Sequence, residues 1–487
     1  MLDAGHSLEP DRAEVVARLS AHPPSSWDAA DVRQVKEGVE VSPNGIPLKR
    51  LYGSGFPFST DGAGLEIDCK NAGARPSYAL GGLSTVWGAG MLPFHPDDIA
   101  DWPFDVVELD EPYRHVLSFL PCSGTSDALR NLFPHHANAL QELPPSRQGA
   151  AFLHDAARAS TALARHGITV GQSRLAVQGK KCVRCGLCLY GCPYALIYNS
   201  AFTLTQLRTL PNFRYEPGFV VERLYESNGA VRIEGHDLAT QMTRRFEAGR
   251  VLLGAGVIPS TAILLASLGD FGDSIRLQDS FYFLLPLLRL AGAPDITQES
   301  LHTLAQAFLV MRDPAVCRQF VHFSIYGFND LMIPSLKASI GSLGGIKALA
   351  SRALVAGGYL HSSLSPGISM TLDAGRVLLE GEDSTAATRM ARQAAKKLLR
   401  HTGRLRTLPL IPAMRFPAPG RGFHTGCSFP MRAERTRHTS DTEGRPFGFD
   451  RVHLVDSSCL PSIPATTVTL PVMANAWRIA NRAADRV

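Results

Sequence analysis

The sequence predicts an α/β chain into which a mixed α+β domain with an antiparallel sheet is inserted. Three observations lead there. With 487 residues, 45% hydrophobic and 19% charged, the chain can bury a large core and is too long for one compact unit. Arg250 to Gly254 is an apolar β-type run. It leads through Gly254-Ala255-Gly256 and Pro259-Ser260 into Thr261-Ala262-Ile263-Leu264-Leu265-Ala266-Ser267-Leu268-Gly269. This reads as strand, glycine turn, N-cap serine, helix and C-terminal glycine, one unit of an α/β layer. From about Gln319 to Glu382 the pattern changes to period-two runs, such as Phe320-Val321-His322-Phe323-Ser324-Ile325-Tyr326 and Gly367-Ile368-Ser369-Met370-Thr371-Leu372. Alternation of that kind predicts an antiparallel sheet with one covered face.

An amphipathic helix is expected from Ser384 or Thr385 through His401, stopped at Gly403, with Ala391, Ala394, Ala395, Leu398 and Leu399 on its apolar side. Arg404 to Gly420, with its four prolines, reads as a connector. These elements divide the chain into 1–275, an inserted unit at 276–414, and 415–487. As a dinucleotide fingerprint, Gly254-Ala255-Gly256 is weak on its own, because it lacks a third glycine in register.

Composition excludes several classes. The 49 Lys+Arg against 44 Asp+Glu leave a charge of +5, spread along the chain, so nucleic acid is not an expected partner. The apolar run Phe281 to Leu290 is broken by Pro286 and Arg289 and is about half the ~20 residues a membrane-spanning helix needs. Nothing at the amino terminus reads as a secretory signal. Of nine cysteines, Cys69, Cys122, Cys317, Cys427 and Cys459 are scattered singly, which argues against a disulfide framework and for a reducing, cytoplasmic setting.

The other four form a cluster. Cys182-Val183-Arg184-Cys185-Gly186-Leu187-Cys188-Leu189-Tyr190-Gly191-Cys192-Pro193 has the CxxCxxCxxxCP spacing of a bacterial ferredoxin. Two-residue gaps let three thiolates wrap one face of an iron–sulfur cluster, with tight glycine turns and amides available to sulfur. A three-iron cluster, or a four-iron one completed by Cys192 or a remote cysteine, fits that spacing. Tetrathiolate zinc and an unmetallated structural knot are the alternatives. Separately, the glycine-rich segment Leu80-Gly81-Gly82-Leu83-Ser84-Thr85-Val86-Trp87-Gly88-Ala89-Gly90 lets backbone approach a flat ligand closely, and Val86 and Trp87 argue against an ordinary surface turn.

Taken together, these segments and the carboxyl terminus resemble the glucose-methanol-choline family of flavin-dependent oxidoreductases. Phe423-His424-Thr425-Gly426-Cys427-Ser428-Phe429-Pro430-Met431 is similar to the family's histidine–glycine–methionine stretch. Val452 through Asp456-Ser457-Ser458-Cys459-Leu460-Pro461 and Met473-Ala474-Asn475-Ala476 resemble its closing signature. Asp98 to Pro103 matches the D-x-x-x-W-P that follows the flavin-facing loop. The resemblance implies a Rossmann-like FAD-binding domain made of 1–275 and 415–487, with 276–414 as the substrate domain. It assigns FAD contacts to Asp3, Gly82, Ser84, Trp87 and Gly88, to Val221 near adenine, and to Gly256, Asp456 and Val468. It makes His424 the base toward a substrate hydroxyl while hydride leaves the carbinol carbon for flavin, a sound division because an alkoxide is the better hydride donor.

There are two departures from the family. The second catalytic position, normally His or Asn, falls on Thr467, which can share one hydrogen bond but cannot take a proton near neutrality. Pro471 fits the first position of a final helix aimed at the flavin. At the front, Met1-Leu2-Asp3-Ala4-Gly5 resembles the end of the family's second strand, with Asp3 as the ribose-binding acid. The strand, GxGxxG turn and helix before it are missing, for which a start assigned roughly 20–30 residues late is the expected reason.

Cys192-Pro193-Tyr194-Ala195-Leu196-Ile197-Tyr198-Asn199-Ser200 is similar to sugar dehydrogenases that carry an iron–sulfur cluster beside the flavin. The implied activity is FAD-dependent dehydrogenation of a CH–OH group in a sugar, polyol or other alcohol. Electrons would pass by the cluster to an acceptor protein or quinone rather than to oxygen. The competing expectations are a catalytically impaired protein of the same fold and a chain whose cysteines hold structural zinc.

Overall fold

The computed structural model describes residues 1–38, 40–41, 46–296, 298–314, 316–332 and 349–484. A six-stranded antiparallel sheet forms the floor of the molecule. Its order is Thr407–Pro409, Tyr282–Arg289, Ala353–Tyr359, Cys317–Tyr326, Ala307–Asp313 and Ile168–Gln172. Side-chain alternation sorts its two faces. Phe283, Leu285, Leu287, Val321, Phe323 and Ile325 pack with Ala387, Ala391, Ala394 and Leu398 of the Thr385–Leu399 helix. On the opposite face, Phe308, Val310 and Phe320 join a core with Leu92, Trp102 and Leu460. Polar side chains at 322, 324 and 326 share that second face, so the strand is covered on both sides.

The antiparallel sheet expected from period-two alternation is present, but the two runs that predicted it lie in different sheets. Ile368–Asp373 belongs to a five-stranded sheet ordered Thr425–Gly426, Ser274–Asp279, Ile368–Asp373, Arg376–Gly381 and Glu66–Lys70. Between the two sheets the chain turns at Ser362–Leu364, a short helical turn capped by His361, whose ring accepts from Ser363 N. Segments far apart in sequence complete both sheets: Glu66–Lys70 pairs in parallel with Arg376–Gly381, and Ile168–Gln172 forms an edge beside Ala307–Asp313. The 276 boundary falls inside the Ser274–Asp279 strand.

Val251–Leu253 pairs in parallel with Val452–Leu454, and Leu2–Asp3 with Glu216–Pro217. The predicted strand–turn–helix is therefore present, with one change at the cap. The helix runs Val257–Leu268 directly after Gly256, so Ser260 lies inside the first turn rather than at the cap. Pro259 does not delay the start, because the first turn has no use for its missing N–H. Gly269, at φ 73°, closes the helix in the left-handed conformation as expected. Gly403, in contrast, stops nothing. The amphipathic helix ends at Leu399, and Gly403 sits in a further turn, Thr402–Leu405, which closes on Arg406 at φ 47°. The final helix is Thr469–Ala484, with Pro471 third rather than first, still within the turn that leaves amides free. Among the described residues no helix is long and apolar enough to cross a membrane.

Gly358 is where the sheet tolerates no side chain. It pairs with Phe283 on one side and Phe323 on the other, and the two rings meet edge-to-face at 5.8 Å. A Cβ there would stand 2.2 Å from the Phe283 ring. Gly358→Ala is expected to cost about 1–3 kcal/mol by overpacking, read as a lower midpoint in thermal unfolding. An unchanged midpoint would contradict this packing.

Candidate active site

The glycine segment, the turn after Val251–Leu253 and the 420–425 loop converge on a cavity of about 610 Å³. Gly81 and Gly82 take φ of 92° and 55°, and Gly256 takes 90°. At Gly82 and Gly256 an added Cβ would meet no atom within 4 Å, so these backbones border open space. The loop carrying Trp87 is fixed from both sides. Trp87 Nε1 donates to the Tyr198 carbonyl at 2.7 Å, and Lys49 Nζ donates to the Trp87 carbonyl at 2.8 Å.

Of the residues singled out in the sequence, Asp3, Gly82, Ser84, Trp87, Gly88, Gly256, Asp456 and Val468 line this one cavity together with His424 and Thr467. Val221 does not. It lines an adjoining cavity of about 920 Å³ that shares Met1, Asp3, Gly254 and Ala255 with the first. Asp3 therefore stands where the two spaces join. Burial raises its carboxyl above the ordinary value, against hydrogen bonds from the Tyr215 hydroxyl at 3.0 Å and the Gly5 amide at 3.3 Å. Asp456 is turned inward. It accepts from the Gly256 amide at 2.9 Å, the Ser260 hydroxyl at 2.6 Å and the Ser458 amide at 2.8 Å, locking the glycine turn to the end of the Val452–Leu454 strand.

His424 is held by a carboxylate that the sequence reading missed. Asp279, 1% exposed, accepts from the Gly420 amide at 2.8 Å and the Thr425 hydroxyl at 3.1 Å, and Ser280 N donates to the His424 carbonyl at 3.1 Å. Burial lifts Asp279 to about 6 despite these bonds. The His424 ring stacks on Tyr359 with centroids 4.7 Å apart and planes 19° apart. Its Nδ1 is sealed off without a partner, which leaves Nε2 as the nitrogen able to meet a ligand. Desolvation lowers the imidazole to about 4, so it is an uncharged base at neutral pH.

Thr467 is otherwise engaged. Its Oγ1 accepts from the Leu92 amide at 2.6 Å, and its methyl lies where a Cβ on Gly90 would come within 2.8 Å. This ties the end of the glycine loop to the carboxyl-terminal segment. A further part of the wall comes from the six-stranded sheet, whose Tyr282, Phe308, His322, Ser324, Tyr326 and Tyr359 line the cavity. The one advance signal for them was the polar alternation at 322, 324 and 326, which a solvent-facing strand shares. Burial pushes the Tyr326 hydroxyl up to about 12 and raises Tyr282 and Tyr359 as well, so this wall is neutral.

The cysteines lie behind the loop rather than in the cavity. Amides face their sulfurs: Arg184 toward Cys182, Leu187 toward Cys185, and Tyr194, Leu196 and Ile197 toward Cys192. Lys49 bridges the two places, since it lines the cavity and interacts electrostatically with Cys188 and Cys192. Desolvation lowers its ammonium to about 8.

The fold is one that solved oxidoreductase structures share. Pyridoxine 4-oxidase from Mesorbium loti superposes with a TM-score of 0.57 at 15% identity, over 99% of this chain and 93% of that one. A fungal aryl-alcohol oxidase superposes with a TM-score of 0.56 at 12% identity, over 85% and 86% of the two chains. An FAD-dependent oxidoreductase from Chaetomium thermophilum gives 0.54 at 11% identity, over 85% and 87%. No protein-family model matches the sequence, and no curated protein does.

The His424 ring, lowered to about 4 in the folded protein against ~6.5 unfolded, has a defined pH signature. Its contribution to stability is complete above pH ~6.5 and is lost as pH falls toward ~4, where the unfolded chain takes up the proton first. Discounted for the water an open cavity admits, the effect is about 2 kcal/mol. In denaturant titrations at pH 7 and pH 4.5, His424→Gln should lose less stability on acidification than the parent by that amount. Equal losses would contradict a desolvated ring.

Proposed function

We propose that this protein is a flavin-dependent dehydrogenase that oxidises a CH–OH group, with an iron–sulfur cluster carrying the electrons onward. The observation that carries the reading is an uncharged imidazole at the wall of a cavity whose facing loop leaves open space at its glycines. The residues fit FAD. Gly82 and Gly256 leave room for a flat ring, Asp3 stands between two connected spaces as a ribose acid would, and Val221 borders the farther one. Bound there, FAD supplies the hydride acceptor.

His424 then takes the substrate hydroxyl proton at Nε2, for which the resting proton must sit on Nδ1. Tyr359 fixes the ring plane by stacking, and Asp279 fixes the loop that presents it. The neutral wall admits uncharged alcohols without a counter-charge. We assign Thr467 a positioning role, holding Gly90 and Leu92 against the cavity, in place of a direct contact with substrate oxygen.

Two features support an iron–sulfur cluster at Cys182, Cys185, Cys188 and Cys192. Backbone amides point at three of the sulfurs. Lys49 supplies a cation beside Cys188 and Cys192, as a negatively charged cluster requires. Held by these cysteines, a cluster would supply one-electron transfer, which favours a protein or quinone acceptor over oxygen.

Protein purified anaerobically should show flavin absorption bands together with a broad iron–sulfur shoulder. A sugar, polyol or other alcohol should bleach the flavin bands, about 10²–10⁴-fold more slowly in His424→Gln. Stoichiometric zinc without the shoulder would overturn the electron-transfer half of the proposal. A flavin that no alcohol reduces would support the impaired-protein reading, and rapid reoxidation by oxygen would make the protein an oxidase.

A further inference from the structure

His322 is the second imidazole at this cavity, and nothing in the proposed chemistry uses it. It lies at the middle of the Cys317–Tyr326 strand and is 1% exposed. Register places it directly across from Tyr359, which in turn lies across from Tyr282, so three hydrogen-bonding side chains form one row over the sheet. Tyr359 stands between the two imidazoles. Its ring centroid is 4.7 Å from that of His424 and 6.2 Å from that of His322. Two residues along the strand, the Ser324 hydroxyl lies 3.0 Å from His322 Nε2. Phe308 closes the other side edge-to-face at 4.9 Å.

A histidine in a finished core ordinarily has both nitrogens satisfied. Here Nε2 is taken by the Ser324 hydroxyl, while Nδ1 is buried and has no partner, so a ligand oxygen can meet the free Nδ1 or the remaining hydrogen-bonding position of the Ser324 oxygen. Desolvation lowers this imidazole to about 3, with the neighbouring His424 contributing, so it is neutral. No acidic or basic side chain stands in the row, and Arg421 reaches the cavity at the Tyr282 end, across Tyr359 from His322. At the His322 end, neutral donors and acceptors flanked by an aromatic ring suit an uncharged hydroxyl on a carbon skeleton.

We propose that His322 and Ser324 form a second hydroxyl-binding subsite, so that the substrate is a diol or polyol presenting one hydroxyl to His424 and another to this pair. The proposal rests on the reading of the cavity as an alcohol site. It specifies which alcohols enter: a monohydric alcohol fills the His424 end alone and gains nothing from His322.

Calorimetric titration of the purified protein with sorbitol and with benzyl alcohol tests this without requiring turnover. Wild type should bind sorbitol, and His322→Phe and Ser324→Ala should each weaken that binding about tenfold, the loss of one hydrogen bond. Binding of benzyl alcohol should stay within about twofold, and His322→Gln should recover part of the sorbitol affinity. Should His322→Phe melt early, Ser324→Ala carries the comparison. Equal weakening of both alcohols, unchanged sorbitol binding in both variants, or a wild type that binds no polyol would each overturn the subsite. Flavin reduction by sorbitol is scored separately: His322-dependent binding without reduction would defeat the oxidation reading and leave the subsite standing.

Discussion

The site depends on keeping one imidazole uncharged at the wall of a cavity. Solvation would let His424 take a proton near pH 6.5, and a charged ring can neither accept a substrate proton nor sit without loss beside neutral tyrosines. Several remote parts of the chain combine to prevent that. The Tyr282–Arg289, Ala353–Tyr359 and Cys317–Tyr326 strands supply the aromatic and neutral polar wall. Asp279, from the neighbouring sheet, holds the 420–425 loop in place, and the glycine segment faces it across the cavity. None of these pieces makes the site alone.

The cysteine segment is connected to the cavity through Lys49. Lys49 is deep in the protein, and its ammonium is tolerated there because it donates to the Trp87 carbonyl and lies beside Cys188 and Cys192. Trp87 is in turn tied to Tyr198, which lies beyond the cysteine segment and packs in the same core as Cys188. The loop facing the proposed flavin and the segment holding the proposed cluster are thus one packed unit.

Much of this was legible in the sequence, and what was not has physical reasons. The strand–glycine turn–helix around Gly256 and the His424 stretch carry local signals, and residues chosen from them meet at one cavity. Ser260 misled because its hydroxyl suits a cap, yet Asp456, distant in sequence, recruits it inside the first turn. The two alternating runs looked alike because period-two alternation reports a strand and says nothing about which sheet it joins. His322, Ser324 and Tyr326 were hidden for a related reason: alternate polar residues normally mark a solvent face, and only the packing shows this face covered. Thr467 stood out as a departure from the resemblance, but its bond to Leu92 is a tertiary contact that no spacing reveals.

The most direct test is the ionisation of His424 itself. Two-dimensional NMR of protein labelled at histidine, with His424→Gln used to assign the resonance, would follow this ring from pH 8 to pH 4.5. The account predicts a ring that stays neutral through pH 6 and begins to titrate only near the acid end, in line with a value of about 4. A midpoint near 6.5, the value of a solvated histidine, would mean that the cavity does not desolvate the base, and the proposed chemistry would lose its footing.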